Sequence, residues 1–330
     1  MKALVFEGLG DIVFRNQPEP DVPESWSLLR VEAAGICGSD MRGYIGTDQS
    51  RIPPLIMGHE VAGLVLDGPS AGRRAIVNPM ITCGSCRECV AGRSNLCLDR
   101  YAIGVQRPGG FAEFVAVPDR NVIAIPDDMN LLHAALAEPA ATSLRCVTLA
   151  SKLLHRPLPE AKSLVIGGGA IGLLSALWLK SYGVREVTLS ETNRLRRATA
   201  AIAGFQAIDP MLAGIEADSF DLIIDAVGGG VTRELAIRSI RRGGVIVHVG
   251  LMDSDGALDM RRLTTSEIVL IGSYTYLPKD ILVSIGALRQ GILGKLDWVE
   301  RRGLSEGPSA FAELSQSSSA AAKIVLVPSG

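Results

Sequence analysis

The rhythm of apolar and polar positions changes near residue 140. Before it, short segments such as LVFE, LLRVEAAG and GLVLDG alternate with turns rich in Gly and Pro, the pattern of a compact all-β or α+β domain. From about residue 160 the run SLVIGGGAIGLLSALWLKSYGVREVTLSETN reads as an apolar strand, a glycine turn, a helix-length amphipathic segment and a second strand, which is a βαβ unit. FDLIIDAVGG, GGVIVHVG and SEIVLIGSY add apolar strands, separated by helix-like stretches such as VTRELAIRSIRRG. This alternation predicts a mostly parallel, doubly wound sheet covered on both faces. AAAKIVLVPSG is a last strand whose partner the pattern alone does not assign. No repeat, low-complexity tract or membrane-length apolar run interrupts the chain.

A length of 330 residues exceeds what one core usually organises, so two domains of about 150 residues are expected. Hydrophobic residues at 47% and charged residues at 21% are globular proportions. A formal net charge of -2 with scattered Lys and Arg gives no electrostatic reason for a nucleic-acid partner. MKALVFEGLGDIVF alternates like a strand and has no long apolar core of a leader peptide, so a cytoplasmic protein is expected, with no membrane partner. Six cysteines are present, four of them within CGSCRECVAGRSNLC. Without an export signal, clustered thiols point to metal before disulfides.

Gly167-Gly168-Gly169-Ala170-Ile171-Gly172 follows the strand Ser163 to Ile166 and opens a helix, which is the context a dinucleotide-binding G-x-G-x-x-G needs. Gly167 permits the tight turn, Gly169 lets backbone approach a pyrophosphate, and Gly172 allows close helix-to-strand packing. The amides and dipole at the helix start favour the anion. A glycine-rich turn without ligand is the competing reading. Glu191 ends the second strand about twenty residues on, where a carboxylate accepts ribose hydroxyls and repels a 2′-phosphate. NAD is therefore expected over NADP, against the reading that Glu191 only caps a turn beside Arg194, Arg196 and Arg197. Ala226-Val227-Gly228 and Val249-Gly250-Leu251 end further strands and should line the same crevice.

Cys83, Cys86, Cys89 and Cys97 have two, two and seven intervening residues, which lets one loop surround a tetrahedral zinc with four thiolates and leave no position for substrate. An iron–sulfur cluster is the competing metal. A second set is dispersed: Cys37 in GICGSD, His59 and Glu60 in GHE, and Glu138 in AEPA. Thiolate, imidazole and carboxylate can hold zinc with an open position for an alcohol oxygen. Singly, each has an ordinary structural explanation: a buried thiol, a turn histidine, helix-end carboxylates.

GICGSD, GHE, the four-cysteine loop, AEPA and GGGAIG, in this order, resemble the zinc-dependent medium-chain dehydrogenase/reductase superfamily over nearly the whole chain. Glu138-Pro139, where many alcohol dehydrogenases carry a cysteine ligand, points to the sorbitol, threonine and related polyol dehydrogenases. The resemblance implies an α/β protein with a GroES-like catalytic domain, residues 1–140 with a C-terminal return over 286–330, around an inserted Rossmann domain, residues 141–285. It implies two zinc ions per chain, one catalytic and one structural, and a homodimer or homotetramer. Cys37 and His59 match catalytic ligands, and Glu60 and Glu138 match carboxylates that bind the metal directly or through water. Ser39 matches the hydroxyl that meets the substrate oxygen and handles its proton, and Asp40 supports the site. The implied reaction is hydride transfer between a secondary alcohol or polyol, or its ketone, and NAD. A primary-alcohol dehydrogenase or aldehyde reductase is the alternative within the enzymes. A non-catalytic zinc- and nucleotide-binding scaffold is the alternative outside them, disfavoured by the dispersed Cys37, His59, Glu138 set.

Two positions depart from the pattern. Arg42 stands where relatives often place a relay histidine and cannot act as a base, so it is free to hold a cofactor phosphate or an acidic substrate group, or to be a solvated surface residue. Arg73 stands in a shortened loop where an aspartate is common, with no chemical consequence expected. Cys146 has no partner and reads as a core thiol. Tyr44, Tyr274 and Tyr276 are candidates for the substrate wall, with half-buried packing the commoner role of such tyrosines.

Overall fold

The structure is a computed structural model in which residues 1–328 are described. Its N-terminal part is built on antiparallel strands. A seven-stranded sheet runs in the order Val122–Ala124, Arg74–Val77, Glu60–Asp67, Trp26–Gly35, Lys323–Val327, Val299–Gly303, with Phe114–Pro118 also pairing with Trp26–Gly35. The strand that the pattern left without a partner is thus an interior strand of this sheet: Lys323–Val327 pairs antiparallel with Trp26–Gly35, Val325 opposite Gly35. A smaller sheet places Lys2–Gly8 between Asp11–Asn16 and Leu55–Ile56. Phe111 and Phe311 meet edge to face, ring centroids 5.9 Å apart, in the core that Leu4, Leu29 and Met57 complete. That contact joins residues 200 positions apart in sequence and ties the C-terminal return to the N-terminal strands.

The second sheet has six parallel strands in the order Ala207–Ile208, Val187–Ser190, Ser163–Ile166, Phe220–Asp225, Ile240–His248, Val269–Gly272. Alternate residues of these strands enter different cores. Val165, Leu222, Ile224, Val245 and Val247 pack with Leu173, Leu177 and Trp178, while Leu164, Ile166, Ile223 and Ile246 pack with Ile237. Both faces are therefore dry, and that is why the strands read as unbroken apolar runs. The chain reverses direction of winding between Ser163–Ile166 and Phe220–Asp225, the place where such sheets open a crevice. One boundary differs from expectation. The helix after Phe220–Asp225 ends at Ser239, and Ile240-Arg241-Arg242 already belongs to the next strand, because β-branched Ile240 is fully buried opposite Phe220.

The two parts share one helix, Ala137–Leu153. Glu138 and Pro139 stand in its first turn, where a missing amide hydrogen costs nothing and a carboxylate suits the dipole. Further along, the Trp178 indole donates to the Ala140 carbonyl at 2.9 Å and Ser143 Oγ donates to the Ile171 carbonyl at 3.1 Å, docking the helix on the glycine-turn helix Ala170–Ser181.

Candidate active site

At the glycine turn, sterics dictate the residues. Gly167 has φ +101°, and a Cβ there would meet Val227 Cγ2 at 2.7 Å; a Cβ on Gly172 would lie 1.8 Å from the Gly167 carbonyl oxygen. Neither position admits another residue. Gly169 has open space beyond it and caps the helix Ala170–Ser181 with no side chain on its amides, so the first helical N–H groups of Ala170 and Ile171 remain available to an anion. Glu191 is buried beside this turn. Its Oε2 accepts from Gly168 N at 2.8 Å and its Oε1 from Asn193 N at 2.7 Å, which holds the carboxylate at the mouth of the crevice. Across it, Gly228 and Gly250 pack back to back: a Cβ on Gly228 would lie 2.1 Å from Gly250 O. Val227 and Val249 therefore close the crevice from the neighbouring strand ends.

The four-cysteine loop is closed upon itself. The Sγ atoms of Cys83, Cys86, Cys89 and Cys97 all lie within 4.8 Å of one another, Cys83 being 3.5 Å from Cys97 and 3.9 Å from Cys89. A tetrahedral zinc with Zn–S near 2.3 Å requires S···S separations of about 3.8 Å, so the donors fit that ion. The amides of Cys86 and Ser85 draw the Cys83 thiol down to about 6, whereas burial pushes Cys89 up to about 11. The loop also touches the far side of the crevice: buried Asn95 donates to the Tyr274 carbonyl at 2.9 Å, and the Arg100 guanidinium stacks 4.7 Å over the Tyr274 ring.

The dispersed donors converge. Cys37 caps the helix Gly38–Tyr44, Glu60 opens the strand Glu60–Asp67 and His59 immediately precedes it, so that Cys37 Sγ, a His59 ring nitrogen and a Glu60 oxygen lie within 4.8 Å of one another. A soft thiolate with imidazole and carboxylate suits zinc. Asp40 organises the group. Its Oδ2 accepts from Cys37 N at 3.0 Å and its Oδ1 stands 3.4 Å from His59 Nδ1, leaving Nε2 as the nitrogen for a metal. Burial acts to raise the Asp40 carboxyl, but His59 and Arg51 bring it down to about 2; burial acts to lower His59, but Asp40 and Cys37 lift it well above its usual value. Glu138 lies outside this group of three, buried enough that desolvation, reinforced by Glu60, raises its carboxyl to about 7.

Two residues at this site had gone unread in the sequence. Lys323, 3% exposed, donates from Nζ to both oxygens of Glu60 and to the Ile36 carbonyl, each at 2.7 Å. Gly35 makes room, since a Cβ there would sit 2.0 Å from Glu60 Oε2. Arg51 donates to Ser39 Oγ and Asp40 Oδ1, both at 3.1 Å. Each carried a signal: a single charge opening the apolar run KIVLV, and a single charge before the Pro-Pro turn of RIPPLIM, positions where a charge is kept only with a partner. Arg42 reaches across the crevice, its Nη1 donating to Leu251 O at 3.0 Å. Tyr44 packs on Phe311 in the core, and Tyr276 is buried with its hydroxyl donating to Asn78 Oδ1 at 3.1 Å; Tyr274 remains 40% exposed. Cys146 is a core thiol that burial pushes up to about 12. Arg73 is exposed in its loop.

The family described as alcohol dehydrogenase GroES-like domain matches residues 23–127, and that described as zinc-binding dehydrogenase matches residues 170–287. The chain is 34% identical over 288 residues to D-altritol 5-dehydrogenase of Agrobacterium fabrum, covering 83% of this chain and 84% of that one. It belongs to the zinc-dependent medium-chain dehydrogenase/reductases. As a member of that superfamily it is a zinc- and nicotinamide-dependent oxidoreductase. L-threonine 3-dehydrogenase of Rhizobium johnstonii is 31% identical over 277 residues, 78% of this chain and 79% of the relative. The crystal structure of a Sinorhizobium meliloti 1021 protein named as a zinc-binding dehydrogenase, bound to NADP, superimposes with a TM-score of 0.89 at 29% identity, covering 99% of both chains.

Proposed function

We propose that this enzyme oxidises a secondary alcohol of a polyol or related hydroxylated substrate with NAD, or reduces the corresponding ketone, at Cys37, His59 and a carboxylate. The observation that carries the reading is the contact of Arg42 with Leu251 O. It sets the helix that begins after Cys37 against the loop ending a Rossmann strand, so the donor set faces the crevice where a nicotinamide would lie. When bound, zinc would polarise the alcohol oxygen. Cys37 and His59 would hold it, oriented by Asp40. Glu60, clamped by Lys323, and Glu138, whose raised carboxyl shares the site, supply the carboxylates. Ser39 meets the substrate oxygen, and the cleft excludes water while it orients the reacting carbon. Cys83, Cys86, Cys89 and Cys97 hold a second zinc that staples their loop.

The test is zinc content with NAD reduction at 340 nm across D-altritol, sorbitol, butane-2,3-diol, L-threonine and ethanol. Two zincs per chain and turnover of a secondary alcohol above ethanol are expected. Fastest turnover of ethanol would replace the polyol reading with a primary-alcohol dehydrogenase, and no turnover of any would remove it.

NAD preference rests on Glu191, whose position beside Gly168 matches a carboxylate that accepts ribose hydroxyls. Charge-assisted hydrogen bonds of this kind are worth 1.5 to 3 kcal/mol, so Glu191→Ala should raise the KM for NAD by about 10- to 100-fold. The KM for NADP should fall or hold. A wild-type preference for NADP would overturn the assignment.

The domains are placed at 1–140 with 286–330, and 141–285. A homodimer or homotetramer is supported by the outer edge of Val269–Gly272, which no further strand covers among the described residues and where Leu270 is 37% exposed. Light scattering that gives the mass of one chain would refute it. Among the described residues no helix is long and apolar enough to cross a membrane, and the clustered thiols suit a reducing cytoplasm.

A further inference from the structure

Arg51 is 4% exposed, yet no part of the reaction outlined above employs it. Its stem crosses Gly43 of the helix Gly38–Tyr44, where a Cβ would lie 2.5 Å from Arg51 Cδ. Its head sits among three oxygens: Nη1 donates to Asp48 Oδ2 at 2.6 Å, and Nη2 donates at 3.1 Å to both Asp40 Oδ1 and Ser39 Oγ. Two carboxylates against one guanidinium account for its tolerance of burial. They do not require the third bond. A guanidinium carries only donors, so toward Arg51 the Ser39 hydroxyl can only accept, and its own proton must point elsewhere. The nearby Asp40 carboxylate is engaged by other donors, Oδ2 by Cys37 N and Oδ1 by Arg51 with His59 at 3.4 Å, and receives no hydrogen bond from Ser39 Oγ. Among the described residues no acceptor takes that proton, and Ser39 is half-buried at the cleft.

We propose that Arg51 is a positioning residue for the reaction: by donating to Ser39 Oγ it turns the Ser39 proton outward, as a fixed hydrogen-bond donor to the substrate oxygen. The proposal rests on the dehydrogenase reading and on Ser39 meeting that oxygen. It also gives Arg51 a part that Arg42, three residues after Ser39 and committed to Leu251, does not take. A hydroxyl oriented before substrate arrives needs no reorganisation at the moment of reaction, whereas a freely turning one spends much of its time aimed at water.

The test is a double-mutant cycle on the zinc-loaded enzyme with the panel alcohol that is oxidised fastest, using Arg51→Gln, Ser39→Ala and both together. Arg51→Gln alone should lower kcat by about 10- to 100-fold, with two zincs retained and the KM for NAD unchanged. In the Ser39→Ala background the same change should cost less than about threefold, because a residue acting through another loses its effect with it. Equal factors in both backgrounds would overturn the proposal and leave Arg51 as a support of the loop. A Ser39→Ala enzyme as fast as wild type would overturn it differently, by removing the Ser39 role itself. Should Arg51→Gln fail to fold with its zinc, Arg51→Lys, which keeps the charge near Asp48 but not the planar fork, is run through the same cycle and judged by the same two factors.

Discussion

Cys37→Ser is expected to carry one zinc per chain in place of two and to oxidise its alcohol at least about a thousandfold more slowly than wild type, since metal polarisation of an oxygen is worth several kcal/mol of barrier. The reasoning is local. Cys37 supplies the only sulfur of its donor set, and its Sγ also accepts from Ser39 N at 3.5 Å. A serine hydroxyl can keep that capping bond, so the helix Gly38–Tyr44 should survive while the soft anionic ligand is lost. The retained zinc belongs to Cys83, Cys86, Cys89 and Cys97, which share no residue with the catalytic set. Atomic absorption and steady-state kinetics on the same preparation separate the two effects. A variant that keeps both zincs and its rate would remove Cys37 from the metal site, and one that loses both would show that the sites are coupled.

Lys323→Met should destabilise the fold by about 3 to 5 kcal/mol, the usual consequence of leaving one member of a buried ion pair alone. Glu60 is 1% exposed, and both its oxygens depend on Lys323 Nζ. Methionine fills a similar volume but gives the carboxylate no donor. The Ile36 carbonyl loses its donor as well. Glu60→Gln in the same background removes the uncompensated charge and should recover more than half of the loss. A urea midpoint for Lys323→Met within about 1 kcal/mol of wild type would show that water reaches the pair and that its burial is not structural. The pair also carries functional weight: Lys323 sets the orientation of a carboxylate in the metal group from a strand 263 positions away.

The glycine turn and the carboxylate beside it were legible because their geometry is local. Gly167, Gly169 and Gly172 act through backbone sterics over six residues, and Glu191 follows at the end of the next strand. The same holds for the four-cysteine loop, whose ligands span fifteen residues from Cys83 to Cys97. In the catalytic group the donor types were readable from GICGSD and GHE, but only by resemblance, since nothing in their spacing states that a helix cap and a strand start meet. Arg51 and Lys323 escaped notice because a single charge near an apolar run announces a partner without naming it.

By itself, then, the amino-acid sequence determined the period of each segment, the parallel sheet dry on both faces, the glycine turn and the closed four-cysteine loop, all of which follow from steric and hydrophobic rules acting within a few tens of residues. Tertiary structure alone decided that Lys323–Val327 inserts beside Trp26–Gly35, that Lys323 meets Glu60, that Arg51 meets Ser39, and that Arg42 touches Leu251. Those contacts join elements far apart in the chain. Their geometry is set by how whole sheets and helices pack and by the need of each buried charge for a counter-charge, neither of which a local pattern of residues records.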